Sequence, residues 1–178
     1  MAYIILDRDG VINFDSSEYI KSPEEWNAIP DSLEAIAELN RAGFKVIIVT
    51  NQSGVARGYF DQDTLDKIHK KMINELATVG GNIEEIFFCP HHPDENCECR
   101  KPKPGLLNDI AKKYPINFKE TYFIGDSAKD IQVAQATGCL PILVRTGNGE
   151  LVLKRHPELH HIPNFENLAE AVKYVLTK

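Results

Sequence analysis

The sequence predicts an α/β fold with a doubly wound, mostly parallel sheet of the Rossmann type. Short apolar runs rich in β-branched residues alternate with longer amphipathic segments, which is the pattern of right-handed β-α-β units. Several of these runs end in polar residues. Ligands of open α/β sheets bind at the carboxyl ends of the strands, where such polar residues would lie. The 178 residues contain no internal repeat and no linker, so we expect a single domain spanning residues 1–178.

Strands and helices alternate along the whole chain. The predicted strands cover residues 3–6, 45–49, 83–89, 121–124 and 140–144. The predicted helices cover residues 31–42, 63–79, 104–114, 129–137 and 165–176. Residues 13–27 show no clean period, and we expect them to form a loop that crosses above the sheet edge.

Capping residues set the predicted helix boundaries. Asp31 is followed three positions later by Glu34, the pattern of a capping box, and Gly43 suits the end of the same helix. Pro104 suits the first position of the third helix, and Gly138 suits the end of the fourth.

Composition argues against several classes of protein. A formal net charge of −6 disfavours nucleic acid as a partner, and no apolar run is long enough to span a bilayer. The first residues enter a strand without the layout of a signal peptide, so we expect a cytoplasmic protein without a membrane partner. We also expect a monomer that acts on a small molecule.

An acidic pair, Asp7 and Asp9, follows the first strand, and Gly10 permits a sharp turn there. Side chains at positions i and i+2 of an extended segment point the same way, so both carboxylates can face one pocket. Two ionised carboxylates in a dry site require a cation or a shared proton. The alternative is a pair of solvated turn and capping residues.

Three further strand ends carry polar side chains that can meet the acidic pair. Thr50 ends the second strand, Lys101 follows the cysteine-rich loop after the third, and Asp126 follows the fourth. Taken singly, Thr50 could cap a turn, Lys101 could be a solvated cation and Asp126 could cap a helix. Their joint occurrence at strand ends favours convergence on one crevice.

Over essentially its whole length the chain resembles the haloacid dehalogenase-like phosphohydrolases. The four motifs of that family are matched by Asp7-x-Asp9-Gly10, Thr50, Lys101 and Gly125-Asp126. The resemblance implies a phosphatase in which Asp7 is the nucleophile and forms an aspartyl-phosphate. Asp9 would protonate the leaving oxygen and then take a proton from the hydrolytic water.

The other motif residues imply how the phosphoryl group and a metal would be held. The Thr50 hydroxyl and the Lys101 ammonium would bind the phosphoryl oxygens. Asp126, with Asp7 and the backbone carbonyl of Asp9, would hold Mg²⁺. Asp130, one helical turn further on, would support the site by orienting a lysine or a metal-bound water.

A second motif lies in the loop 89–99 and consists of Cys89, His91, Cys97 and Cys99. Three thiolates and one imidazole make a complete tetrahedral zinc set, and four protein ligands leave no open position for catalysis. We therefore expect a structural zinc that orders the approach to Arg100 and Lys101. Reduced, unliganded thiols are the alternative. His92 is a less suitable ligand, and Cys139 is expected in the core.

The spacing between the motifs leaves no room for a cap domain, so the site should be open and roofed by short loops. Among capless members of the family, the chain is similar to phosphatases of heptose bisphosphates and to phosphatases of histidinol phosphate. The runs TNQSGVARG at 50–58 and CPHHP at 89–93 resemble the first group. The compact spacing from His91 to Cys97 also occurs in the second group, which stays as the alternative.

The heptose resemblance implies which residues contact sugar hydroxyls or the retained phosphate. These substrate-binding residues are Asp15, Asn51, Gln52, Ser53 and Arg100. Arg57 offers a further cation for a bisphosphate. The reaction would remove the 7-phosphate of a heptose 1,7-bisphosphate, and the product would feed nucleotide-heptose synthesis for lipopolysaccharide. A receiver-type phosphorylation module places its acidic pair after the first strand and its phosphorylated Asp after the third, which differs from the pattern here. A non-catalytic zinc-loop interaction module is a remote alternative.

Overall fold

The computed structural model describes residues 1–178, which form one six-stranded sheet flanked by six helices. The strands are β1 (Ala2–Leu6), β2 (Phe44–Asn51), β3 (Glu85–Cys89), β4 (Tyr122–Gly125), β5 (Leu140–Val144) and β6 (Asn164–Phe165). The helices are α1 (Ser32–Arg41), α2 (Gln62–Thr78), α3 (Gly105–Lys113), α4 (Ala128–Thr137), α5 (Gly149–Arg155) and α6 (Leu168–Leu176). None of the six helices combines the length and the apolar character needed to cross a bilayer.

All neighbouring strands pair in parallel, in the order β3-β2-β1-β4-β5-β6. The chain proceeds outward from β1 to β3 on one side and from β4 to β6 on the other, so its direction reverses between β1 and β4. Ligands of open α/β sheets bind at the carboxyl edge above such a reversal. The predicted doubly wound, parallel fold is confirmed.

The sheet buries an apolar layer on each face, because successive side chains of a strand point to opposite sides. Ile4 and Leu6 of β1 belong to the larger cluster, which packs against α1, α2 and α6. Tyr3 and Ile5 belong to the second cluster, which packs against α3 and α4. The face that α2 covers is therefore the face to which Ile4 and Leu6 point.

The chain segments that join the sequence motifs contain no cap domain, as predicted. The chain from Asp9 to Thr50 is used by a loop, α1 and β2, and the chain from Thr50 to Lys101 by loops, α2 and β3. Residues of the loop 13–27 instead line the cavity above the sheet edge, together with residues that follow β2. The loop is tied to α2 through Lys71, whose Nζ donates to the backbone oxygens of Pro23 and Trp26.

Two elements near the C-terminus were not predicted. Helix α5 has only seven residues and strand β6 only two, too few for a periodic pattern to stand out. Because β6 takes residues 164–165, α6 begins at Leu168 rather than at residue 165, with the Asn167 side chain accepting from the backbone N–H of Glu170.

Two predicted caps were wrong. Asp31 has a left-handed backbone with φ 67°, and its side chain makes no capping hydrogen bond, so α1 lacks the expected capping box. Pro104 is the residue before α3 rather than its first residue. The glycine stop at Gly138 is present, with the left-handed φ of 85° that favours glycine at a helix end.

Candidate active site

An open cavity of about 350 Å³ lies at the carboxyl edge of the sheet, above the reversal between β1 and β4. All residues that the sequence predicted for catalysis, substrate binding and Mg²⁺ line it. The acidic pair enters from β1, Thr50 to Ser53 from β2, Lys101 from the cysteine-rich loop, and Asp126 from β4. The strand ends therefore converge as expected.

Lys101 is the cation at the floor of the cavity, and its side chain is almost wholly buried. Its Nζ lies 3.0 Å from Asp7 Oδ1 and 2.7 Å from Asp130 Oδ1, and it donates to the backbone oxygen of Val49 at 2.9 Å. Burial would lower the pKa of Lys101, but the charges of Asp130 and Asp7 outweigh it and raise the pKa. The ammonium is thus a fixed positive charge beside the Asp7 carboxylate.

The main chain of Lys101 is held by Asn51. The Asn51 side chain accepts from Lys101 N at 3.0 Å and donates to Lys101 O at 3.2 Å. This reciprocal pair links the end of β2 to the residue that follows the cysteine cluster. Asn51 lines the cavity, but its side-chain amide is engaged with the protein rather than free for a ligand.

Three carboxylates, Asp7, Asp126 and Asp130, bring oxygen atoms within 4.8 Å of one another. Burial and then the charge of Asp130 raise the pKa of Asp7 well above its usual range, and the same two causes raise the pKa of Asp126 to about 7. One lysine does not balance three buried acids, so the cluster has the charge and the hard oxygen donors that suit Mg²⁺.

Asp130 is already committed within the protein. Its Oδ2 accepts from Ser127 Oγ at 2.9 Å and from the backbone N–H groups of Asp126 and Ser127 at 3.1 Å. Together with the Ser127 side chain this forms the capping box of α4. Because Oδ1 binds Lys101, Asp7 and Asp126 are the carboxylates left to hold a metal.

Two glycines allow the backbone to approach Asp126 closely. A Cβ atom on Gly10, which has φ 80°, or on Gly147 would overlap Asp126 Oδ2. The same oxygen accepts from the backbone N–H of Asn148 at 2.8 Å and from its side-chain Nδ2 at 3.2 Å. The loop after β5 therefore fixes the orientation of the Asp126 carboxylate.

Asp9 is surrounded by hydrogen-bond donors. Its Oδ1 accepts from Arg8 Nε at 3.1 Å, Arg8 NH2 at 2.7 Å and Asn13 Nδ2 at 2.9 Å, and its Oδ2 accepts from Gln52 Nε2 at 3.0 Å. Burial would raise the pKa of Asp9, but the charge of Arg8 and these hydrogen bonds outweigh it and lower the pKa. The side chain of Asp9 is not part of the group formed by the three other carboxylates.

The remaining predicted residues also reach the cavity wall. Gln52 Nε2 donates to Thr50 Oγ1 at 2.9 Å, which leaves the Thr50 hydroxyl proton available to a ligand. Ser53 Oγ accepts from Arg57 Nε at 3.4 Å. Asp15 also lines the cavity, and Asn148 Nδ2 donates to its Oδ2 at 3.3 Å.

Sequence reasoning missed several residues of this site. Asn148 follows β5 and so obeys the same strand-end rule as Asp126, which could have found it. Lys129 and Tyr19 also line the cavity, but an exposed lysine on a helix and a tyrosine in a loop carry no sequence signal. Arg57 lies 5.7 Å from the centre of the Tyr19 ring, close enough for a cation–π contact.

The cysteine cluster is assembled beside this cavity. One ligand atom from each of Cys89, His91, Cys97 and Cys99 lies within 4.8 Å of the others, so this group could hold a metal ion. Cys99 Sγ lies 2.8 Å from Cys89 Sγ and 3.1 Å from His91 Nδ1. His92 Nδ1 instead accepts from the backbone N–H of Asp94, and Cys139 is buried in the second core cluster, as predicted for both residues.

The cluster contacts the catalytic loop directly. Burial would raise the pKa of Cys97, but a hydrogen bond from the backbone N–H of Arg100 and contacts with the neighbouring thiols lower it to about 7. Cys97 and Cys99 also pack against the second core cluster, in which Cys89 is buried. Arg100 is thus connected through its backbone to the group that would bind the metal.

Acidification should destabilise the fold through His69 on α2. The residue is 6% exposed, and burial together with the charge of Arg8 lowers its pKa from 6.5 to about 3. Below pH 6.5 His69 takes up a proton in the unfolded chain, whereas in the folded chain it stays neutral until about pH 3. The free energy of unfolding is therefore fully present above pH 6.5 and decreases as the pH falls from 6.5 towards 3. By about pH 5 the loss should be roughly 2 kcal/mol.

Urea unfolding of the wild type and of His69→Gln at neutral pH and at about pH 5 measures this loss. Between neutral pH and about pH 5, the free energy of unfolding of the wild type should fall by roughly 2 kcal/mol more than that of His69→Gln. Other titrating groups cancel in the comparison. A difference that does not change with pH would contradict the assignment of a neutral His69.

Comparison with known proteins identifies the family of the chain. A model of the HAD-hydrolase-like family matches residues 98–171. The D-glycero-beta-D-manno-heptose-1,7-bisphosphate 7-phosphatase of Bordetella bronchiseptica is 53% identical over 86% of each chain, and that of Pseudomonas putida is 48% identical over 99% of this chain and 100% of its own. The chain belongs to the D-glycero-beta-D-manno-heptose-1,7-bisphosphate 7-phosphatase family.

Solved structures agree with this assignment. The D,D-heptose 1,7-bisphosphate phosphatase of B. bronchiseptica, solved in complex with magnesium and phosphate, superposes with a TM-score of 0.96 at 48% identity over 99% of both chains. The enzyme from Burkholderia thailandensis superposes with a TM-score of 0.79 at 37% identity over 100% of both chains. The predicted resemblance to the haloacid dehalogenase-like phosphohydrolases is confirmed, and the heptose phosphatase family is favoured over the histidinol-phosphate alternative.

Proposed function

We propose that this protein is a Mg²⁺-dependent phosphatase that removes the 7-phosphate of D-glycero-D-manno-heptose 1,7-bisphosphate through an aspartyl-phosphate on Asp7. The observation that carries the proposal is the Asp7 carboxylate, held 3.0 Å from the buried Lys101 ammonium within a group of acids at the sheet edge. Membership of the heptose bisphosphate phosphatase family supports the choice of substrate. The product, a heptose 1-phosphate, would enter nucleotide-heptose synthesis for lipopolysaccharide.

In the first step the Asp7 carboxylate attacks phosphorus, and the bond between phosphorus and the sugar oxygen breaks. Asp9 gives its proton to that oxygen, while the Thr50 hydroxyl and the Lys101 ammonium bind the phosphoryl oxygens. Asp7 and Asp126, with the backbone carbonyl of Asp9, would hold Mg²⁺. When bound, Mg²⁺ would supply the positive charge that keeps both carboxylates ionised and offsets charge on the phosphoryl group.

In the second step Asp9 takes a proton from the water that hydrolyses the aspartyl-phosphate. The donors around Asp9, from Arg8, Asn13 and Gln52, stabilise its carboxylate form and suit this basic role. The acidic role in the first step requires a proton on the same group. The negative charge of the bound phosphate favours that protonated form, since a like charge raises the pKa of a carboxyl group.

We propose a structural zinc at Cys89, His91, Cys97 and Cys99. Support comes from four ligand atoms of zinc-binding type within 4.8 Å of one another and from the absence of an open position in a four-ligand set.

We also propose that residues 1–178 form a single domain in which the loop 89–99 is an insertion between β3 and α3. Four cysteines that form no disulfide suit a reducing compartment, which supports a cytoplasmic location. A monomer is proposed, and sedimentation equilibrium tests it.

We propose that Arg100 and Lys129 bind the phosphate that is not cleaved. The Arg100 NH1 group is buried without a hydrogen-bond partner. Lys129 lines the same cavity as Arg100, and burial and then the charge of Arg100 lower the pKa of Lys129. A dianionic phosphate between them would satisfy both groups. Asp15, Gln52 and Ser53 would contact sugar hydroxyls.

Lys129→Met should therefore lower kcat/KM for the bisphosphate by about 10-fold, because one charge-assisted contact is lost. For heptose 7-phosphate, which lacks the second phosphate, kcat/KM should change by less than about 2-fold. Lys70→Met, on the exposed surface of α2, is the matched control and should not affect either substrate. Equal losses for both substrates would contradict a role for Lys129 at the retained phosphate.

The reaction is tested by measuring phosphate release with Mg²⁺ on heptose 1,7-bisphosphate and on histidinol phosphate. We expect kcat/KM to be higher for the heptose by at least about 10²-fold, since the second phosphate has charged partners that histidinol phosphate cannot engage. Phosphorus NMR of the product should show that the phosphate at C1 is retained. A preference for histidinol phosphate, or release of the 1-phosphate, would refute the proposed substrate.

A further inference from the structure

One buried cation at the site, besides donating to Asp9, makes a contact that the steps above do not use. Arg8 stands between Asp7 and Asp9, yet its side chain is 0% exposed and does not line the cavity. It continues the alternation of β1, so it points to the same face as Ile4 and Leu6, where α2 packs. A buried guanidinium is costly unless its donors are paired, and its carboxylate partner is Asp9.

The partner of Arg8 on the other side is His69. Its Nε2 lies 3.1 Å from Arg8 NH1. A guanidinium only donates hydrogen bonds, so Nε2 must accept, and the imidazole is neutral with its proton on Nδ1. The ring of Phe88 lies next to His69, at 6.2 Å between ring centres. Helix α2 and β3 together therefore hold the imidazole against the guanidinium.

The three side chains form a chain of contacts from α2 to the cavity. His69 engages NH1, which leaves Nε and NH2 of Arg8 to bind Oδ1 of Asp9. Because Oδ1 is held on the buried side, the other oxygen, Oδ2, is the one beside Gln52. We propose that His69 is a positioning residue: through Arg8 it holds the Asp9 carboxyl group in the orientation from which a proton reaches the leaving sugar oxygen.

The inference rests on the proposed acid role of Asp9, and substrates with different leaving groups test it. A sugar alkoxide needs a proton as it leaves, whereas the nitrophenolate of p-nitrophenyl phosphate is a stable anion that needs little help. In His69→Leu, Arg8 NH1 loses its acceptor and Asp9 loses its support. We expect kcat/KM for heptose bisphosphate to fall by about 10–100-fold, and that for p-nitrophenyl phosphate to fall by no more than about 2-fold.

His69→Gln supplies a side-chain oxygen that can accept from Arg8 and should recover most of the loss. Met72→Leu changes a buried residue of the same helix that makes no hydrogen bond to Arg8, so it controls for a general weakening of α2 and should leave both rates unchanged. Thermal unfolding of each variant gives the fraction that is folded at the assay temperature. Equal losses for the two substrates in His69→Leu, or no loss for either, would overturn the positioning role.

Asp9→Asn separates this inference from the function on which it rests. It should lower kcat/KM for the sugar phosphate far more than for p-nitrophenyl phosphate. If Asp9→Asn slows both substrates equally, the acid role of Asp9 fails. If Asp9→Asn discriminates between the substrates and His69→Leu does not, the proposed function stands and the role of His69 is rejected.

Discussion

Asp7→Asn should reduce phosphate release from the heptose bisphosphate by about 10³-fold or more, because an amide cannot form the aspartyl-phosphate. The fold should be retained. The Asp7 carboxylate is buried next to other acids, and burial and the charge of Asp130 already disfavour its ionised form. An asparagine removes that unfavourable charge, while Lys101 keeps its bonds to Asp130 and to the Val49 oxygen. Without metal, the melting temperature of the variant should equal or exceed that of the wild type.

Steady-state phosphate release and thermal unfolding in the same buffer measure the two parts of this prediction. Asp31→Asn is the matched control, since it makes the same chemical change at an exposed residue whose left-handed backbone asparagine also tolerates. Mass spectrometry of acid-quenched wild type should find a phosphorylated peptide that contains Asp7. Turnover of Asp7→Asn near the wild-type rate would reject Asp7 as the nucleophile.

The second large effect is expected from removing a ligand of the cysteine cluster. Cys99 Sγ lies within hydrogen-bond distance of Cys89, His91 and Cys97, so Cys99→Ser should abolish metal retention. Zinc contributes about 10–16 kcal/mol to the folding of small sites. Because β3 and α3 already anchor both ends of this loop, we expect Cys99→Ser to lower the free energy of unfolding by a smaller amount, several kcal/mol. The activity should fall by about 10²-fold, because Arg100 and Lys101 lose the support that positions them.

Metal analysis, thermal unfolding and kcat/KM are the three measurements. The wild type should contain one zinc per chain, and a strong chelator should reproduce the effects of Cys99→Ser. Cys139→Ser makes the same substitution at a buried cysteine that is not one of the four possible metal ligands, and it should keep the full zinc content. A metal-free wild type with unchanged activity and melting temperature would reject the structural zinc.

The convergence of the strand-end residues was predictable because it depends on few assumptions. Once the strands are parallel, the residues at the carboxyl ends of β1, β2 and β4 must meet at one edge. Asp7, Thr50 and Asp126 needed no knowledge of helix rotation or loop path. The cysteine cluster was equally predictable, because all four ligand positions lie within one loop of eleven residues, 89–99.

The partners of these side chains were not predictable in the same way. Arg8 and His69 are 61 positions apart, and Asp126 and Asn148 are 22 apart. Their contacts depend on the rotation of α2 against the sheet and on the path of the loop after β5. The same applies to Asp31, where a capping pattern was present but the backbone adopted a left-handed conformation and the side chain makes no capping hydrogen bond.

By itself the sequence determined the parallel α/β fold, the strand ends that carry the acids and the composition of the cysteine cluster, because periodicity and motif spacing act over short stretches of chain. Only the tertiary structure decided what surrounds Asp9, what orients the Asp126 carboxylate, and which helix supports Asp9. These outcomes require side chains far apart in sequence to be packed together, and burial, neighbouring charges and hydrogen bonds then set their pKa values. That packing depends on the whole chain at once.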